Sequence, residues 1–233
     1  PFILPGALCM DEWPACKRWH DARYLLRVLG RRWVPVELGQ RYTDAAWRQQ
    51  LMRFDAFLDA HVVPTDDASQ SPAQVGYLAQ HDLFYQVPQL RRDILVPDYC
   101  YAAAVQTHAW LGPAGTISPL HHDPDRNLFA QVVGRKFLRL YAPDAPVYAH
   151  SADSLLHNTS QVDVLAPDLV RFPDMIHAQA YDCLLMPGDL LYIPASSRVY
   201  AVNVCVLIPW IMQPRWWRYV HAVDVSFSVS FWF

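Results

Sequence analysis

The segment Gly115–Tyr141, GTISPLHHDPDRNLFAQVVGRKFLRLY, decides the fold and the chemistry expected of this chain. His121 and Asp123 are two residues apart, and on an extended strand such residues point to the same face. Pro124 favours extended backbone at Asp123, which supports the strand. An imidazole beside a carboxylate supplies two of the three ligands of a 2-His-1-carboxylate site, which holds non-haem Fe(II) and leaves coordination positions open.

Two apolar-rich runs, Leu128–Val133 and Lys136–Tyr141, follow this pair. The residues between them, Gly134-Arg135, are typical of a two-residue turn, so the sequence predicts a β-hairpin. On the second strand Lys136 shares a face with two leucines, Leu138 and Leu140. Because a buried unpaired ammonium is costly, the lysine either reaches out to solvent or holds an anion.

Each of these features also has an ordinary structural explanation. A single His-x-Asp is usually a solvated turn, and an inward lysine is more often an edge residue whose ammonium reaches water. Their combination within one short unit favours function. A metal pair followed by an anion-seeking lysine is what a metal enzyme with a dicarboxylate co-substrate requires.

Composition narrows the class of protein. The 233 residues fit one domain, and 53% hydrophobic residues are ample for a core. A net charge of −3 and a pI near 6.4 give no bulk electrostatic reason to bind nucleic acid or an anionic membrane. The five cysteines are odd in number and lack a CxxC pair, which favours free thiols in a reducing compartment. No signal peptide is recognised, and a start at Pro1 indicates a fragment or a processed chain.

In the first third of the chain, the sequence predicts a helix over Asp21–Leu29 and an edge strand over Trp33–Leu38, which contains a proline. Thr43 is expected to cap a second helix. The apolar residues that recur at helical spacing there are Trp47, Leu51, Phe54 and Leu58. Val62–Val75 is polar and rich in proline, serine and aspartate, so we expect an exposed linker.

The remainder is dominated by strands. Val105–Leu111 is one, and Cys183–Met186 and Leu190–Ile193 are two more around a tight turn. Val223–Phe233 alternates without a break, a strong strand signal. Pro146–Pro173 is irregular and polar, typical of a long loop over a barrel mouth where peptide specificity resides. Many strands separated by prolines and turns indicate a sandwich or a barrel.

Four phrases together resemble the Jumonji-C oxygenases, which use Fe(II) and 2-oxoglutarate. They are WLGPAGTISPLHHDPDRNLFAQVVGRKFLRLY from Trp110, YLAQHDLF from Tyr77, HNTSQVDV from His157 and DVSFSVSFWF from Asp224. The likeness is greatest to the small branch of arginyl hydroxylases and histone lysine demethylases. It implies a mainly β fold, the double-stranded β-helix or jelly roll of the cupins, with a short helical N-terminal lead-in.

The resemblance also implies a domain plan and a site. Residues 1–76 would be a lead-in that packs on the barrel, and residues 77–233 the jelly roll, with 196–213 as an atypical insertion. Fe(II) would be held by His121 and Asp123. The co-substrate 2-oxoglutarate would contact Tyr77, Ser118, Asn127 and Lys136. The expected partner is a protein or peptide substrate such as a histone, in the nucleus or cytoplasm, with neither nucleic acid nor membrane.

One departure from the family pattern concerns the third metal ligand. The family follows its PGDLLYIP-like strand closely with a Trp-His-Tyr phrase, whereas here the segment Ala195–Pro214 intervenes and Arg218 stands at the histidine's place. A protonated arginine has no lone pair for iron. His221 lies three residues on and faces the opposite way unless a bulge turns it inward. The intervening segment is either an added strand pair or a gene-model artefact.

Three functions therefore remain open. The first is an Fe(II)- and 2-oxoglutarate-dependent oxygenase that hydroxylates a protein side chain, arginine or methyl-lysine. The second is a catalytically impaired peptide- or chromatin-binding module, because Arg218 replaces the third ligand. The third is a cupin-like protein for small molecules, since a fold alone does not define function. The presence of Lys136 and Ser118 argues against the third.

Overall fold

The computed structural model describes residues 1–8, 12–63, 74–194 and 215–233. Within these ranges twelve strands form two antiparallel sheets. The strands are β1 Phe2–Leu4, β2 Trp33–Leu38, β3 Arg48–Arg53, β4 Gly76–His81, β5 Gln106–Gly112, β6 Ile117–His121, β7 Asn127–Val133, β8 Lys136–Tyr141, β9 Ala180–Leu185, β10 Leu190–Ile193, β11 Trp217–Ala222 and β12 Ser226–Trp232.

The helices are short and precede the central strands, apart from one 3-10 turn. They are α1 Ala15–Arg18, α2 Ala22–Leu29, α3 Phe54–Phe57, α4 Leu83–Gln86 and α5 Pro88–Arg91, with a π-helical turn at Leu58–Val62 and a 3-10 turn at Pro173–His177. The helix predicted over Asp21–Leu29 is α2. Asp21 caps it by accepting a hydrogen bond from the backbone N–H of Arg23, and Gly30 follows its last residue.

The larger sheet has the strand order β1-β10-β7-β12-β5-β4-β2-β3, and the smaller has the order β6-β11-β8-β9. The two sheets face each other, since Lys136 of β8 lies against Tyr77 of β4 and Phe129 of β7. This arrangement, in which helices are few, confirms the predicted mainly β, cupin-like jelly roll.

Strand β12 lies at the centre of the larger sheet and is buried on both faces. Its alternating sequence places apolar side chains on one face and small polar side chains on the other, as the sequence predicts. Phe227, Val229 and Phe231 are fully buried in the main core, where Phe227 packs 4.2 Å from the ring of Trp19. The opposite face carries serines, and Ser230 accepts a hydrogen bond from the indole of Trp110. Small serines leave space between the sheets.

The predicted hairpin around Gly134-Arg135 is wrong. Strand β7 pairs with β10 and β12 in the larger sheet, whereas β8 pairs with β11 and β9 in the smaller. The turn therefore carries the chain from one sheet to the other. Gly134 has a φ of +68°, and a Cβ there would collide with the carbonyl oxygen of Val225, so this crossing requires glycine.

The predicted helix after Thr43 is also wrong. Its centre is strand β3, which pairs with β2 from Trp33↔Arg53 to Leu38↔Arg48, and only Phe54–Phe57 is α-helical. Leu51, expected on the buried stripe, is 64% exposed. A row of hydrogen bonds to a strand earlier in the chain outweighs the helical spacing of the apolar residues.

The expectation that β2 lies at an edge is wrong as well, because β3 occupies that edge. Pro35 is tolerated since β4 pairs with β2 only at Glu37 and Leu38, which leaves one side of Pro35 without a ladder partner. The strands predicted around the turn at residues 187–189 exist as β9 and β10, but they belong to different sheets.

Two predictions fall wholly or largely outside the described residues: the insertion at 196–213 and most of the linker Val62–Val75. Cys100 and Cys183 are not in disulfides, as the sequence suggests. No helix in the described ranges is both long enough and apolar enough to cross a membrane.

Candidate functional site

The site lies between the two sheets, where a narrow cavity, here called the inner pocket, receives side chains from both. Tyr77 of β4 and Asn127 of β7 line it from the larger sheet. Ser118 of β6 and Lys136 of β8 line it from the smaller sheet. These four are the residues expected to contact the co-substrate. The pair expected to hold metal, His121 and Asp123, lines the same pocket.

Lys136 points into the pocket and does not reach solvent, with only 1% of the residue exposed. Its ammonium donates a hydrogen bond to the Tyr77 hydroxyl at 3.2 Å and lies 5.3 Å from the ring centre of Phe129. No carboxylate of the described residues pairs with it. Burial lowers the pKa of Lys136 to about 7. An anion in the pocket would supply the missing partner.

Tyr77 and Asn127 add further polar capacity beside this ammonium. Burial and the negative charge of Glu37 raise the pKa of Tyr77, so its hydroxyl stays protonated and can donate. The side-chain oxygen of Asn127 is buried and has no hydrogen-bond partner among the described residues. Because an amide can turn to exchange its oxygen and nitrogen, Asn127 can present a donor to a bound carboxylate.

His121 and Asp123 are held in the arrangement expected of a ligand pair. The His121 Nδ1 lies 2.7 Å from the carbonyl oxygen of Pro119 and donates to it, which leaves the lone pair on Nε2. That Nε2 lies 3.8 Å from the Asp123 carboxylate. Burial, followed by the charge of Arg218, lowers the pKa of His121 to about 3, so the imidazole is neutral.

Arg218 stands where the resemblance implies a third metal ligand. It lies on β11 directly opposite His121 of β6, and its side chain lines the inner pocket. Its guanidinium forms a buried ion pair with Asp123. Burial lowers the pKa of Arg218 to about 9, so it stays charged at neutral pH.

His221 does not take over this role. The pairing of β11 with β6 does shift between Arg218 and Val220, as a bulge would require. Arg218 and Val220 nevertheless both line the pocket, whereas His221 lies with its ring 6.5 Å from that of Tyr219, in the part of β11 opposite Ile117 and Phe137. The bulge therefore leaves His221 away from His121 and Asp123.

The side chains present do not fit a three-ligand iron site. No group of three His, Cys, Asp or Glu side chains converges anywhere in the described ranges. His121 and Asp123 offer two donors, and the third neighbour is a cation that already neutralises Asp123. A guanidinium beside a divalent ion adds repulsion where screening by water is weak.

A wider opening, here called the outer cavity, leads from this centre to the surface and encloses about 420 Å³. Glu37 and Trp47 line it, together with Tyr42 and Trp110. The Trp47 indole donates to the Glu37 carboxylate at 3.3 Å, and burial raises the pKa of Glu37. Sequence reasoning missed this group. The sequence feature that could have identified Glu37 is its position as the single acidic residue in the apolar run WVPVEL, on the face of the strand opposite Val34 and Val36.

The loop predicted over Pro146–Pro173 forms part of the wall of the outer cavity. Leu155, Leu156 and Asn158 line the cavity. Thr159 forms an isolated antiparallel β-bridge with His121. The Thr159 hydroxyl also lies 3.1 Å from that of Tyr42. The loop thus connects the mouth of the cavity to the strand that carries the ligand pair.

Fold and site together define a cupin-type barrel with a polar centre, and residues 1–198 match the family described as "Cupin-like domain". The chain is 43% identical over its whole length to a protein named "Lysine-specific demethylase 8" from Xenopus tropicalis, and covers 47% of it. It is 41% identical over 99% of its length to "Lysine-specific demethylase JMJ30" from Arabidopsis thaliana, and covers 51% of it. A third relative, "Jumonji C domain-containing protein 5" from Drosophila melanogaster, is 40% identical over 96% of the chain, which covers 52% of that protein.

The chain belongs to the cupin-like Jumonji-C family. It spans about half the length of these curated relatives.

Proposed function

We propose that this chain is an oxygenase-type domain that binds 2-oxoglutarate in the inner pocket and a protein side chain, arginine or methyl-lysine, in the outer cavity. The observation that carries the proposal is the buried Lys136 ammonium, which has no carboxylate partner among the described residues. A dicarboxylate would neutralise it. Tyr77, Ser118 and Asn127 would supply hydrogen bonds to the same carboxylate.

The outer cavity supports a cationic substrate side chain. Glu37 offers a carboxylate, and the rings of Trp47, Tyr42 and Trp110 offer faces that attract a cation. The names of the relatives refer to demethylation of lysine, in keeping with such a side chain. We propose that the substrate is a protein such as a histone, encountered in the nucleus or cytoplasm.

The reaction has two candidates, each favoured by one observation. Iron-dependent hydroxylation is favoured by the neutral His121 next to Asp123, because these two side chains offer two donors to Fe(II). Bound Fe(II) would supply the oxidising chemistry of this class. A catalytically impaired binding module is favoured by the ion pair between Arg218 and Asp123. Since the donor set does not fit a three-ligand site, we propose that this sequence binds its ligands but turns them over poorly.

Two measurements test the proposal. Calorimetry of the purified chain with 2-oxoglutarate should show binding, and the Lys136→Ala variant should bind more weakly. Iron-dependent decarboxylation of 2-oxoglutarate should be small in the unmodified chain and should rise in Arg218→His, which restores the imidazole. Full turnover by the unmodified chain would reject the impaired module, and absence of 2-oxoglutarate binding would reject the co-substrate assignment.

A further inference from the structure

Arg218 stands beside His121 and Asp123, where a metal ion would make its contacts, and it carries a positive charge of its own. Its guanidinium pairs with the Asp123 carboxylate, and both side chains are almost completely buried. The charges of Arg218 and Asp123 therefore neutralise each other without a metal ion. The ammonium of Lys136, which donates a hydrogen bond to the Tyr77 hydroxyl, is the positive charge in the pocket without a carboxylate partner among the described residues.

We infer that Arg218 replaces the metal ion as the resident cation of the site, and that the inner pocket binds a dicarboxylate without metal, one carboxylate at Lys136 and the other at Arg218. This inference rests on the proposed function for the ligand class and goes beyond it in assigning the second anchor. Guanidinium groups suit the task because their parallel N–H groups match a carboxylate in a two-point contact.

The spacing of the two cations selects a ligand with an anion at each end. Lys136 pairs with Ala222 across β8 and β11, and Arg218 lies four residues from Ala222 on the same strand. Strands rise by about 3.4 Å per residue, so the two Cα atoms are separated by roughly 14 Å along the sheet. Both side chains point into the inner pocket. A small monoanion can reach one of them, whereas a five-carbon dicarboxylate can engage both.

Arg218 must exchange partners for the ligand to enter. The inner pocket has a free volume of about 20 Å³, which is room for one water molecule and too little for a dicarboxylate. The long arginine side chain is the group best able to clear this space. Asp123 and the ligand carboxylate then compete for the same guanidinium, so the ligand must break the ion pair between Arg218 and Asp123.

Because of this competition, removing the charge of Asp123 should change the affinity for 2-oxoglutarate in the opposite direction from that expected of a metal site. In Asp123→Asn the competing charge is lost, so metal-free 2-oxoglutarate should bind about tenfold more tightly, equivalent to about 1.4 kcal/mol. If Asp123 were instead a metal ligand needed for co-substrate binding, the same change would weaken binding. Calorimetry of the whole chain in EDTA, and again with Mn(II) in place of EDTA, measures both cases.

A second variant covers the case in which Asp123→Asn does not fold. Arg218→Gln removes the guanidinium charge and should weaken 2-oxoglutarate binding in EDTA at least tenfold. Arg139→Gln is the matched control, since Arg139 lies on the neighbouring strand β8 and pairs with the exposed Asp182. It should leave the affinity within about twofold.

Glutarate, which lacks the keto oxygen that chelates a metal, adds a third comparison. It should bind within about fivefold of 2-oxoglutarate if two cations hold two carboxylates. Binding of 2-oxoglutarate only with Mn(II), weaker binding by Asp123→Asn, or full affinity in Arg218→Gln would overturn the inference and leave the proposed function standing. No binding of 2-oxoglutarate with or without Mn(II) would overturn the proposed function itself.

Discussion

At the scale of single residues, Lys136 determines both the binding and the stability expected of this site. Its ammonium is buried with a tyrosine hydroxyl as partner and no carboxylate among the described residues. Such a charge costs folding free energy that an apolar side chain of similar size would not. The position is thus expected to contribute to ligand binding at the expense of stability.

Replacing Lys136 separates the two effects. Lys136→Ala should weaken 2-oxoglutarate binding by about 2 kcal/mol or more, the scale for loss of one partner of a buried charge pair, as measured by calorimetry. Lys136→Met keeps most of the side-chain volume and should lose the same affinity while raising the free energy of unfolding. Unchanged affinity in both variants would contradict the assignment of Lys136.

The pH dependence of stability follows from the same group. The pKa of Lys136 is about 7 in the folded chain, against an ordinary value of 10.5. Between these values the unfolded chain binds the proton that the folded chain has lost, so stability due to this group rises with pH from about 7 to 10.5. The stability advantage of Lys136→Met should be largest below pH 7 and shrink as pH rises. Urea denaturation of both proteins across this range measures it, and a constant advantage would contradict it.

The inward direction of Lys136 and His121 was predictable from sequence because alternation along a strand needs only local geometry. Asp123 lines the same pocket although β6 ends at His121. The contribution of Glu37 was not predictable in the same way. It reaches the site because β2 pairs with β4 at Glu37↔Tyr77, a contact between residues forty positions apart in sequence. The residues around Glu37 do not indicate that their strand pairs with the strand that carries Tyr77.

At the scale of elements, the turn between β7 and β8 positions the site. It moves the chain from the larger sheet to the smaller, and Lys136 follows it directly. Sequence suggested a hairpin here because a two-residue link containing glycine looks the same whether the next strand stays in the sheet or leaves it. The apolar runs on both sides are compatible with either arrangement.

Gly134→Ala tests how much this crossing depends on glycine. The variant combines an unfavourable positive φ with a clash against the backbone of Val225, so it should lower the free energy of unfolding by about 2–4 kcal/mol. Gly115→Ala is the control, since Gly115 has a φ of +84° but no atom within 4 Å of the added carbon. It should cost about 1 kcal/mol. Equal losses in denaturant titrations would show that the clash is relieved.

Strand β3 shows why helical spacing misled in one place and not in another. Asp21–Leu29 has both a cap and an apolar stripe, and it forms α2. The segment after Thr43 has the same spacing, but its backbone pairs along all six residues of β2. Local preferences of a few tenths of a kcal/mol per residue do not compete with such a ladder.

At the scale of the whole molecule, buried Asp93 ties the N-terminal helices to the remainder of the chain. Its carboxylate accepts hydrogen bonds from Arg18 at 2.6 Å and from the indole of Trp19 at 3.0 Å, and also from the hydroxyl of Tyr24. The ring of Trp19 in turn packs on Phe227 of the central strand. We therefore propose that the lead-in of residues 1–76 and the barrel of residues 77–233 unfold together.

Asp93→Asn should lower the free energy of unfolding by about 3 kcal/mol, because three donors lose a buried charged acceptor. A single transition should be seen by both circular dichroism and tryptophan fluorescence, in the variant as in the unmodified chain. Asp55→Asn, which breaks a more exposed ion pair with Arg53, should change stability by about 0.5 kcal/mol at most. Two separate transitions would show that the two parts fold independently.

Under the proposed function, the buried ammonium of Lys136 also links the lifetime of this protein in a cell to the dicarboxylate that would neutralise it. A ligand that binds only the folded chain lowers the unfolded fraction in proportion to its concentration above the dissociation constant. Proteases and chaperones act on that fraction, so a change of about 1–2 kcal/mol alters abundance several-fold. A cell rich in the dicarboxylate would accumulate this protein, and a depleted cell would degrade it, with no change in its synthesis.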